Sequence, residues 1–497
     1  MNTRYEIIVG NRSRLGTIIA AALYLCVCGC AVGPKYQRPA VAPPAAYKEP
    51  LPSGWKEAQP QDGKLRGKWW EVFHDPDLNA LEDQVSVTNQ NVLAAEAQYR
   101  AAKYAVRIAR TALFPTVSTA PTITDSRSPS NFSAGGQVSS TSGVRNIYNL
   151  PFSSSYELDV WGSIRRSLAQ TTANAQVTAA DLENARLLYH AALAQDYFQL
   201  HGLDGDEQLL TNTVDSYREY LDLTRNRYRG GVASQGDVAQ AETQLETTRA
   251  QLVDIGVQRA QLEHAIAILI GKPPAEFSIP PAPIRSAPPQ IPVGMPSTLL
   301  ERRPDIAAAE RQVAAANEQI GITRAALYPT FAFAASTGLE RSNFLNWLTW
   351  PSRFWSIGPQ LGQVLFDTGR RHIQIDQAQA AYDATAANYR QSVLNAFQQV
   401  EDNLSALRIL EQEAKIQDAA VKASRQSVAI ATAQYKGGVV SYLQVITSQT
   451  IALQDERAAL DILTRRMVAS VGLIEALGGG WDTSQLPDRG SMLAMGN

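Results

Sequence analysis

The stretch YRGGVASQGDVAQAETQL (Tyr228–Leu245) returns in altered form as YKGGVVSYLQVITSQTIAL (Tyr435–Leu453). Each begins with an aromatic residue and a base, continues with Gly-Gly-Val, and leads into a helical pattern. Glycine at such a junction favours a turn between two helices, because it adopts backbone conformations that other residues resist. The pattern therefore predicts the same helix–turn–helix unit twice in one chain.

The repeat extends well beyond the two turns. AAEAQYRAAKYAVRIARTALFPT (Ala94–Thr116) aligns without a gap with AAERQVAAANEQIGITRAALYPT (Ala308–Thr330). An α-helix rises ~1.5 Å per residue, so the helix that leads to each turn can reach on the order of 100 Å. These two helical stretches have the same length, although loop insertions cost little free energy. Equal lengths indicate that the two turns must lie at the same depth.

An order of segments follows for the whole chain. Each half is predicted to contain short helices, a β-hairpin and a long helical hairpin. The first repeat covers residues 69–279, with a β-hairpin at about 116–161 and a helical hairpin at 162–270; the second covers 297–480, with a β-hairpin at about 330–367 and a helical hairpin at 369–477. A proline-rich linker at 280–296 joins them, and a C-terminal tail occupies 481–497.

The return helices carry apolar residues at seven-residue spacing, which is typical of coiled-coil packing. One hairpin alone would leave a side of each helix uncovered, so further helices must come from the other half or from other chains. The predicted ladder positions are Val238, Leu245, Leu252, Arg259 and Ile266 in the first half, and Ile446, Leu453, Leu460, Met467 and Ile474 in the second.

The N-terminus has the pattern of an export signal. Three arginines precede a short apolar run, Leu15–Val27, and Gly29 then precedes Cys30. This resembles a bacterial lipoprotein cleavage box, which predicts a signal peptide at 1–29 and a lipid, such as palmitate, attached to Cys30. An ordinary secretory signal is the alternative. Repeated prolines in residues 30–68 predict an extended, solvated tether after the anchor.

Four segments between the helices favour strands of roughly ten residues, the length that spans an outer membrane. They are TVSTAPTITDSRS, YNLPFSSSYELDVW, TFAFAASTGLE and FWSIGPQLGQVLFD. A soluble β-hairpin that caps a helical bundle is the alternative. Four strands cannot close a barrel, so a membrane barrel requires several chains, and three would supply twelve strands. The predicted membrane-interface aromatics are Trp347, Trp350, Phe354 and Trp355.

Composition argues against several other functions. The net charge of -2 gives no basic surface for nucleic acid, and all three cysteines lie within Cys26–Cys30. HExxH, GxSxG, Walker and GxGxxG motifs are absent from the sequence, and the five histidines are scattered. We therefore predict a protein that is not an enzyme and that has no cofactor and no metal site.

Three blocks of sequence resemble the outer membrane factor family, the TolC-like exit ducts, in its lipidated NodT-type branch. The blocks are WWEVFHDPDLNALEDQV (Trp69–Val85), PSTLLERRPDIAAAERQVAAANEQIG (Pro296–Gly321) and the paired Gly-Val turns. The resemblance implies a mainly α homotrimer, in which a long periplasmic α-helical barrel continues into a twelve-stranded β-barrel, four strands from each chain. It places that barrel in the outer membrane of a Gram-negative bacterium, in contact with its lipid.

The same resemblance implies the function. A passive duct would dock to a periplasmic adaptor and an inner-membrane pump of the RND, ABC or MFS class, and would conduct small toxic compounds outward. Substrates are selected upstream of such ducts, so the cargo is not encoded here. The alternatives are a duct for type I protein secretion and, further off, a coiled-coil structural lipoprotein without a pore.

Family positions also carry over to individual residues. The turns become hairpin tips, and the matching adaptor-docking positions are Gly231, Val232, Ser234, Asp237, Gly438, Val439, Ser441, Tyr442 and Leu443. The matching gate positions are Asp237, Tyr435, Gln444 and Thr447. Family members commonly have acidic residues where this chain has Gln444 and Thr447, and Val440 replaces a basic latch. We therefore hypothesise a gate that closes by packing and by neutral hydrogen bonds.

Overall fold

The computed structural model describes residues 31–50, 67–127, 144–293 and 296–493. Its helices follow the duplicated order. The first half contains α1 (Pro76–Thr88), α2 (Gln90–Thr111), α3 (Ser163–Arg229) and α4 (Gln235–Leu269). The second contains α5 (Leu299–Arg302), α6 (Pro304–Ala325), α7 (Arg370–Lys436) and α8 (Tyr442–Ala476), and α9 (Arg489–Leu493) follows. None of the described helices is both long enough and apolar enough to cross a membrane.

Three pairs of corresponding helices have the same length in the two halves. α3 and α7 each contain 67 residues, α4 and α8 each contain 35, and α2 and α6 each contain 22. α3 and α7 both begin after a glycine with left-handed backbone, Gly162 at φ 81° and Gly369 at φ 82°. The two long hairpins therefore start from equivalent points and reach equal distances.

The helices bury the ladder that their sequence predicts. α4 packs along α3, α8 packs along α7, and α3 also contacts α6 and α8. All ten ladder positions are buried or half-buried, including Ile266 and Met467, which have no exposed surface. Other apolar side chains on the same helices, such as Val253 and Ile416, are about three-quarters exposed. One chain therefore covers only part of the apolar surface of its hairpins.

The strands form one antiparallel sheet in the order β1-β3-β4-β5. They are β1 (Thr116–Thr119), β2 (Thr122–Arg127), β3 (Val144–Leu158), β4 (Thr330–Arg341) and β5 (Arg353–Gly362). β1 and β2 both pair with β3 and take the place of the single first strand that the sequence predicts. The break falls at Ala120 and Pro121, because proline has no N–H to donate to the ladder. β3, with 15 residues, is longer than the ten or so predicted.

The register separates the sheet into two chemically different faces. Phe333 lies opposite Tyr156 on one side and Pro359 on the other, and Thr337 lies between Phe152 and Trp355. The opposite face carries small and polar residues, such as Ser336 between Ser153 and Ser356. Because side chains alternate along a strand, the bulky apolar groups share one face of the sheet.

The N-terminal stretch differs from the solvated tether that its prolines predict. Residues 31–34 contact Trp161 and Arg166 at the start of α3, and residues 36–49 lie against the second half of the chain. The guanidinium of Arg38 donates to the Tyr389 hydroxyl at 3.1 Å, and Glu401 accepts from the backbone N–H groups of Lys48 and Glu49 at 2.7 and 3.0 Å. The prolines keep this segment extended, and the polar groups between them attach it to the protein.

The proline-rich linker between the halves is hydrogen-bonded to the first helical hairpin. Asp204 on α3 accepts from Arg259 on α4 at 2.7 Å and from the backbone N–H of Ala282 in the linker at 2.9 Å. Arg259 in turn donates to the carbonyl of Ile279 at 2.7 Å. Burial by itself would raise the pKa of Asp204, but the hydrogen bonds from His201, Ala282 and Arg259 outweigh it and hold that pKa below its usual value. A buried carboxylate therefore anchors the proline-rich segment to the first hairpin.

Candidate functional site at the hairpin tips

The two hairpin tips close with the same hydrogen bonds. In the first tip, the N–H of Val232 donates to Arg227 O at 2.9 Å and that of Gly231 to Tyr228 O at 2.9 Å. In the second, Val439 donates to Gln434 O at 2.9 Å and Gly438 to Tyr435 O at 3.0 Å. This pair of bonds is the Schellman motif, which satisfies the last carbonyl groups of a helix.

Only the second glycine of each pair needs to be glycine for its backbone. Gly231 has φ 75° and Gly438 has φ 76°, in the left-handed region. Gly230 and Gly437 have φ -81° and -74°, which any residue adopts. The backbone of each turn therefore requires glycine at one position, Gly231 or Gly438, and not at both positions of the pair.

The first tip is fixed by a capping box at the start of α4. Ser234 Oγ accepts from the Asp237 N–H at 3.1 Å, and the Asp237 carboxylate accepts from the Ser234 N–H at 2.9 Å. Ser441 makes no such side-chain cap in the second tip. The sequence assigns the Asp237 carboxylate to both docking and the gate. In the structure this carboxylate is hydrogen-bonded within the capping box at the start of its own helix.

The second tip encloses two tyrosines. Tyr435 and Tyr442 are 4 % and 1 % exposed, and their ring centres are 5.3 Å apart. Both belong to an apolar cluster with Tyr217 and Val445 that joins the two hairpins. Burial raises the pKa of the Tyr442 hydroxyl, and nearby tyrosines raise it further. Tyr442 therefore departs from the predicted docking role, because its side chain supports the tip from inside and has no surface to offer a partner.

Arg227 connects the tips to each other. Its guanidinium carbon lies 4.7 Å from the centre of the Tyr435 ring, and its Nη1 donates to the carbonyl of Lys436 at 3.3 Å. The equivalent residue in the second repeat is Gln434, so the contact has no counterpart there. Sequence reasoning missed Arg227, and this difference between aligned repeats is the signal that could have found it.

The remaining predicted tip residues face outward. Val232 and Val439 are 66 % and 74 % exposed, and Leu443 is 55 % exposed. The polar tip residues Gln444 and Thr447 are also exposed, one turn apart on α8. Each tip thus presents an apolar side chain next to an exposed glycine backbone.

The four predicted interface aromatics separate into two groups. Trp350 and Trp355 are about three-quarters exposed, and Trp355 lies on the apolar face of the sheet. Trp347 is half-buried beside Tyr148 at 5.8 Å between ring centres. Phe354 departs from the prediction: it pairs with Gly338 and lies on the opposite, small-residue face. Adjacent residues of a strand cannot share a face, so Phe354 and Trp355 cannot both face lipid.

Cys30 lies outside the described residues, so its predicted lipid attachment stays a prediction. Among the described residues, no three His, Cys, Asp or Glu side chains are grouped in a way that could hold a metal ion.

Comparisons with known proteins agree with one another, and each covers most of the chain. The sequence profile of the outer membrane efflux protein family matches residues 81–272 and 295–479. The chain is 29% identical over 456 residues to the toluene efflux pump outer membrane protein TtgC of Pseudomonas putida, which covers 91% of this chain and 93% of that protein. It is 30% identical over 474 residues to the outer membrane protein OprJ of Pseudomonas aeruginosa, covering 94% and 96%. The structure is similar to that of the outer-membrane channel OprN, with a TM-score of 0.83, 28% identity, and coverage of 91% of this chain and all of that one.

Proposed function

Because this chain belongs to the outer membrane efflux protein family, whose members are outer-membrane channels, we propose that it is the passive exit duct of a tripartite efflux pump. The observation that carries the proposal is the pair of equal, 67-residue helices that lead from one sheet to two matching tips. Such a unit joins a membrane-facing sheet to a docking surface on the order of 100 Å away.

The sheet supports an assembly of three chains. Its edges, β1 with β2 on one side and β5 on the other, have no further strand among the described residues. An open edge is not stable in lipid, because backbone N–H and C=O groups there find no water. Three copies supply twelve strand positions in a closed barrel, with the apolar face that carries Phe152, Phe333 and Trp355 toward lipid.

The tips are the surface that we assign to a periplasmic adaptor. Six tips in a trimer form a ring, and each offers an exposed valine, Val232 or Val439, beside a glycine turn. An apolar side chain next to accessible backbone suits the end of a partner helical hairpin. Gly231, Ser234, Gly438, Ser441 and Leu443 belong to the same surface, and Tyr442 supports it from within.

The gate closes through packing in this proposal. Tyr435 and Tyr442 of the second hairpin pack with Tyr217 and Leu221 of the first in one apolar cluster, and Arg227 holds the two tips together. The exposed Gln444 and Thr447 add neutral hydrogen-bonding groups on the neighbouring turn of α8. Opening then requires the second hairpin to move away from Arg227 when an adaptor docks.

Small molecules are the cargo class that we favour. The relative TtgC is named for toluene, a small apolar compound, and the type I secretion alternative has no such support here. The pump is an inner-membrane transporter of the RND, ABC or MFS class. A lipid on Cys30 would attach the N-terminal segment to the membrane surface, in addition to the attachment that the barrel provides.

The test combines transport with contact mapping. Deletion of the gene should increase accumulation of a fluorescent efflux dye, and wild type should restore export. The only native cysteines are Cys26, Cys28 and Cys30. A cysteine introduced at Val232 or Val439 should therefore cross-link the duct to its adaptor in cells, and a cysteine at Leu345, 87 % exposed in the β4–β5 loop, should not. Unchanged dye accumulation, with no adaptor cross-link from either tip, would contradict the proposal.

A further inference from the structure

The small-residue face of the sheet carries very little charge. The strand register places mainly serine, threonine, alanine and glycine on it. Along the paired strands that the structure describes, three side chains of this face are charged, and they are Glu157, Glu340 and Arg145. Glu340 and Arg145 have opposite charges and lie toward the end of the sheet that carries the β4–β5 loop. Glu157 lies at the other end, next to the helices.

The neighbours of Glu157 on this face are neutral. Glu157 lies opposite Ala332 on β4, and Ala332 lies opposite Gln360 on β5. The next row toward the loop end contains Ser155 opposite Ala334. None of these side chains brings a charge that could offset the Glu157 carboxylate.

The Glu157 side chain is exposed, and its charge is not compensated within the described part of the chain. The segments that join the sheet to α3 and α7 each contain an ion pair that is already complete. Asp159 pairs with Arg165 at 3.0 Å, and Asp367 pairs with Arg371 at 2.7 Å. No described ion pair includes Glu157, so its charge acts on the space in front of the sheet.

In the three-chain barrel of the proposed function, on which this inference rests, that space is the lumen. The apolar face, which carries Phe152, Phe333 and Trp355, lies toward lipid, and the opposite face therefore borders water. Three copies of Glu157 then form one acidic ring at the end of the barrel next to the helices. Rings of carboxylates favour cations, and substitutions on the lumen side of a membrane barrel change its selectivity.

We propose that Glu157 is a selectivity-determining residue of the duct. Its ring raises the local concentration of cationic solutes in the barrel lumen, lowers that of anionic solutes and leaves neutral solutes unaffected. The predicted gate positions on α8, Gln444 and Thr447, are neutral and supply no such ring. The duct therefore selects by charge within the barrel, where one carboxylate in each chain faces an otherwise neutral wall.

The test measures the local charge and needs neither transport nor an open gate. A cysteine replaces Ser155, and the purified trimer in detergent reacts with a methanethiosulfonate that carries either a trimethylammonium or a sulfonate group. The wild-type chain, whose cysteines lie within Cys26–Cys30, gives the background rate. Glu157 is about 7 Å from Ser155 along the strand, within the Debye length of about 10 Å in 0.1 M salt. Glu157→Gln should therefore lower the ratio of the cationic to the anionic rate about 3-fold.

Further variants in the same Ser155→Cys background make the test specific. Glu157→Lys should lower the rate ratio about 10-fold, because it replaces a negative charge with a positive one. Glu340→Gln is the matched control: it removes a carboxylate of the same face that lies on the order of 20 Å from Ser155, and it should leave the ratio unchanged. In 1 M salt, where the Debye length is about 3 Å, the effect of Glu157→Gln should disappear.

Different results would contradict this inference and the proposed barrel. A Ser155→Cys variant that neither reagent modifies would show that this face does not border water, and the barrel would fail together with the inference. A reactive variant whose rate ratio does not respond to Glu157→Gln would overturn the inference alone and leave the duct function in place. An equal fall with Glu340→Gln would also overturn it, because the effect would then not depend on the position of Glu157.

Discussion

The Arg227 guanidinium lies over the ring of Tyr435, 4.7 Å from its centre, so the last turn of one long helix contacts the last turn of the other. The two residues are separated by more than 200 positions and lie at the ends of separate hairpins. Around them, Tyr435 and Tyr442 fill an apolar cluster that both hairpins share. The tips are therefore one packed unit, and the Arg227 cation contacts the second tip from the first.

Arg227→Gln should shift the duct toward its open state. A cation–π contact of this exposure is worth ~0.5–1 kcal/mol, which corresponds to an increase of about 2- to 5-fold in the ratio of open to closed channels. Single-channel recording in planar bilayers measures that ratio. Arg218→Gln is the control and should behave as wild type, because Arg218 lies about two and a half turns before Arg227 on α3 and pairs only with Asp215 among the described contacts. An open probability that is the same in both variants would remove Arg227 from the gate.

The closed gate should respond weakly to salt. The packing of Tyr435 against Tyr442 and the neutral side chains of Gln444 and Thr447 involve no ion pair, and salt screens mainly interactions between exposed charges. Closed-state conductance, divided by bulk conductivity, should therefore change little between low and high salt. A steep dependence, or a collapse of the closed state near pH 4, would show that carboxylates hold the gate.

Alanine should be tolerated at one glycine of each tip and not at the other. Left-handed backbone costs a residue with a side chain about 1–2 kcal/mol, so Gly231→Ala and Gly438→Ala should speed amide hydrogen exchange at the tips by roughly 5- to 30-fold. Gly230→Ala and Gly437→Ala, at negative φ, are the matched controls and should leave exchange unchanged or slower. Equal effects at both positions would show that the turn does not depend on the left-handed residue.

Asp204→Asn should release the linker between the repeats. The substitution removes the closer of the two carboxylates that pair with Arg259, at 2.7 Å against 3.5 Å for Glu263, which costs about 2 kcal/mol of unfolding free energy. Limited proteolysis should then cleave faster between residues 277 and 293. The midpoint of chemical unfolding should also fall to a lower denaturant concentration. Asp215→Asn is the control, because it removes the partner of Arg218 in an exposed ion pair. It should change the free energy of unfolding by less than about 0.5 kcal/mol. Because the pKa of Asp204 is lowered in the folded protein, its contribution is present above pH 3.8 and is lost as the pH falls through the folded pKa.

Glu82 should make the protein less stable at alkaline pH. Burial raises its pKa well above 4.5, with the charge of Asp83 adding to the shift, and burial lowers the pKa of His190 to about 4, with Arg186 adding to that shift. Between pH 4.5 and 6.5 the two shifts oppose each other, because the folded pair and the unfolded chain each hold one proton. Above pH 6.5 only the folded Glu82 retains its proton, so stability falls as the pH rises through the folded pKa of Glu82.

Thermal unfolding of wild type and Glu82→Gln at several pH values measures this effect. The wild-type melting temperature should fall between pH 6.5 and 9, relative to that of the variant, whose amide does not titrate. Parallel curves for the two proteins would mean that Glu82 is ionised in the folded state. Asp83→Asn is the control, because it removes the exposed carboxylate beside Glu82. Most of the fall in melting temperature with rising pH should remain in this variant.

Sequence alone determined the features that depend on local geometry and on spacing. The gap-free alignment of the halves predicts helices of equal length, because the rise per residue is constant, and the structure has 67 residues in each. The heptad ladder predicts which side of α4 and α8 is buried. A glycine after a helical pattern predicts a turn, since few other residues adopt the left-handed backbone that Gly231 and Gly438 require.

Tertiary structure decided what depends on contacts between distant segments. Phe354 and Trp355 are neighbours in sequence, but the strand register sends them to opposite faces. Tyr442 belongs to a tip that sequence similarity assigns to docking, yet the rotation of α8 about its axis turns the ring inward. Arg227 meets Tyr435 only because two helices of equal length end side by side. Local propensity fixes the length of an element, and the packing of neighbours more than 100 residues away fixes where each side chain points.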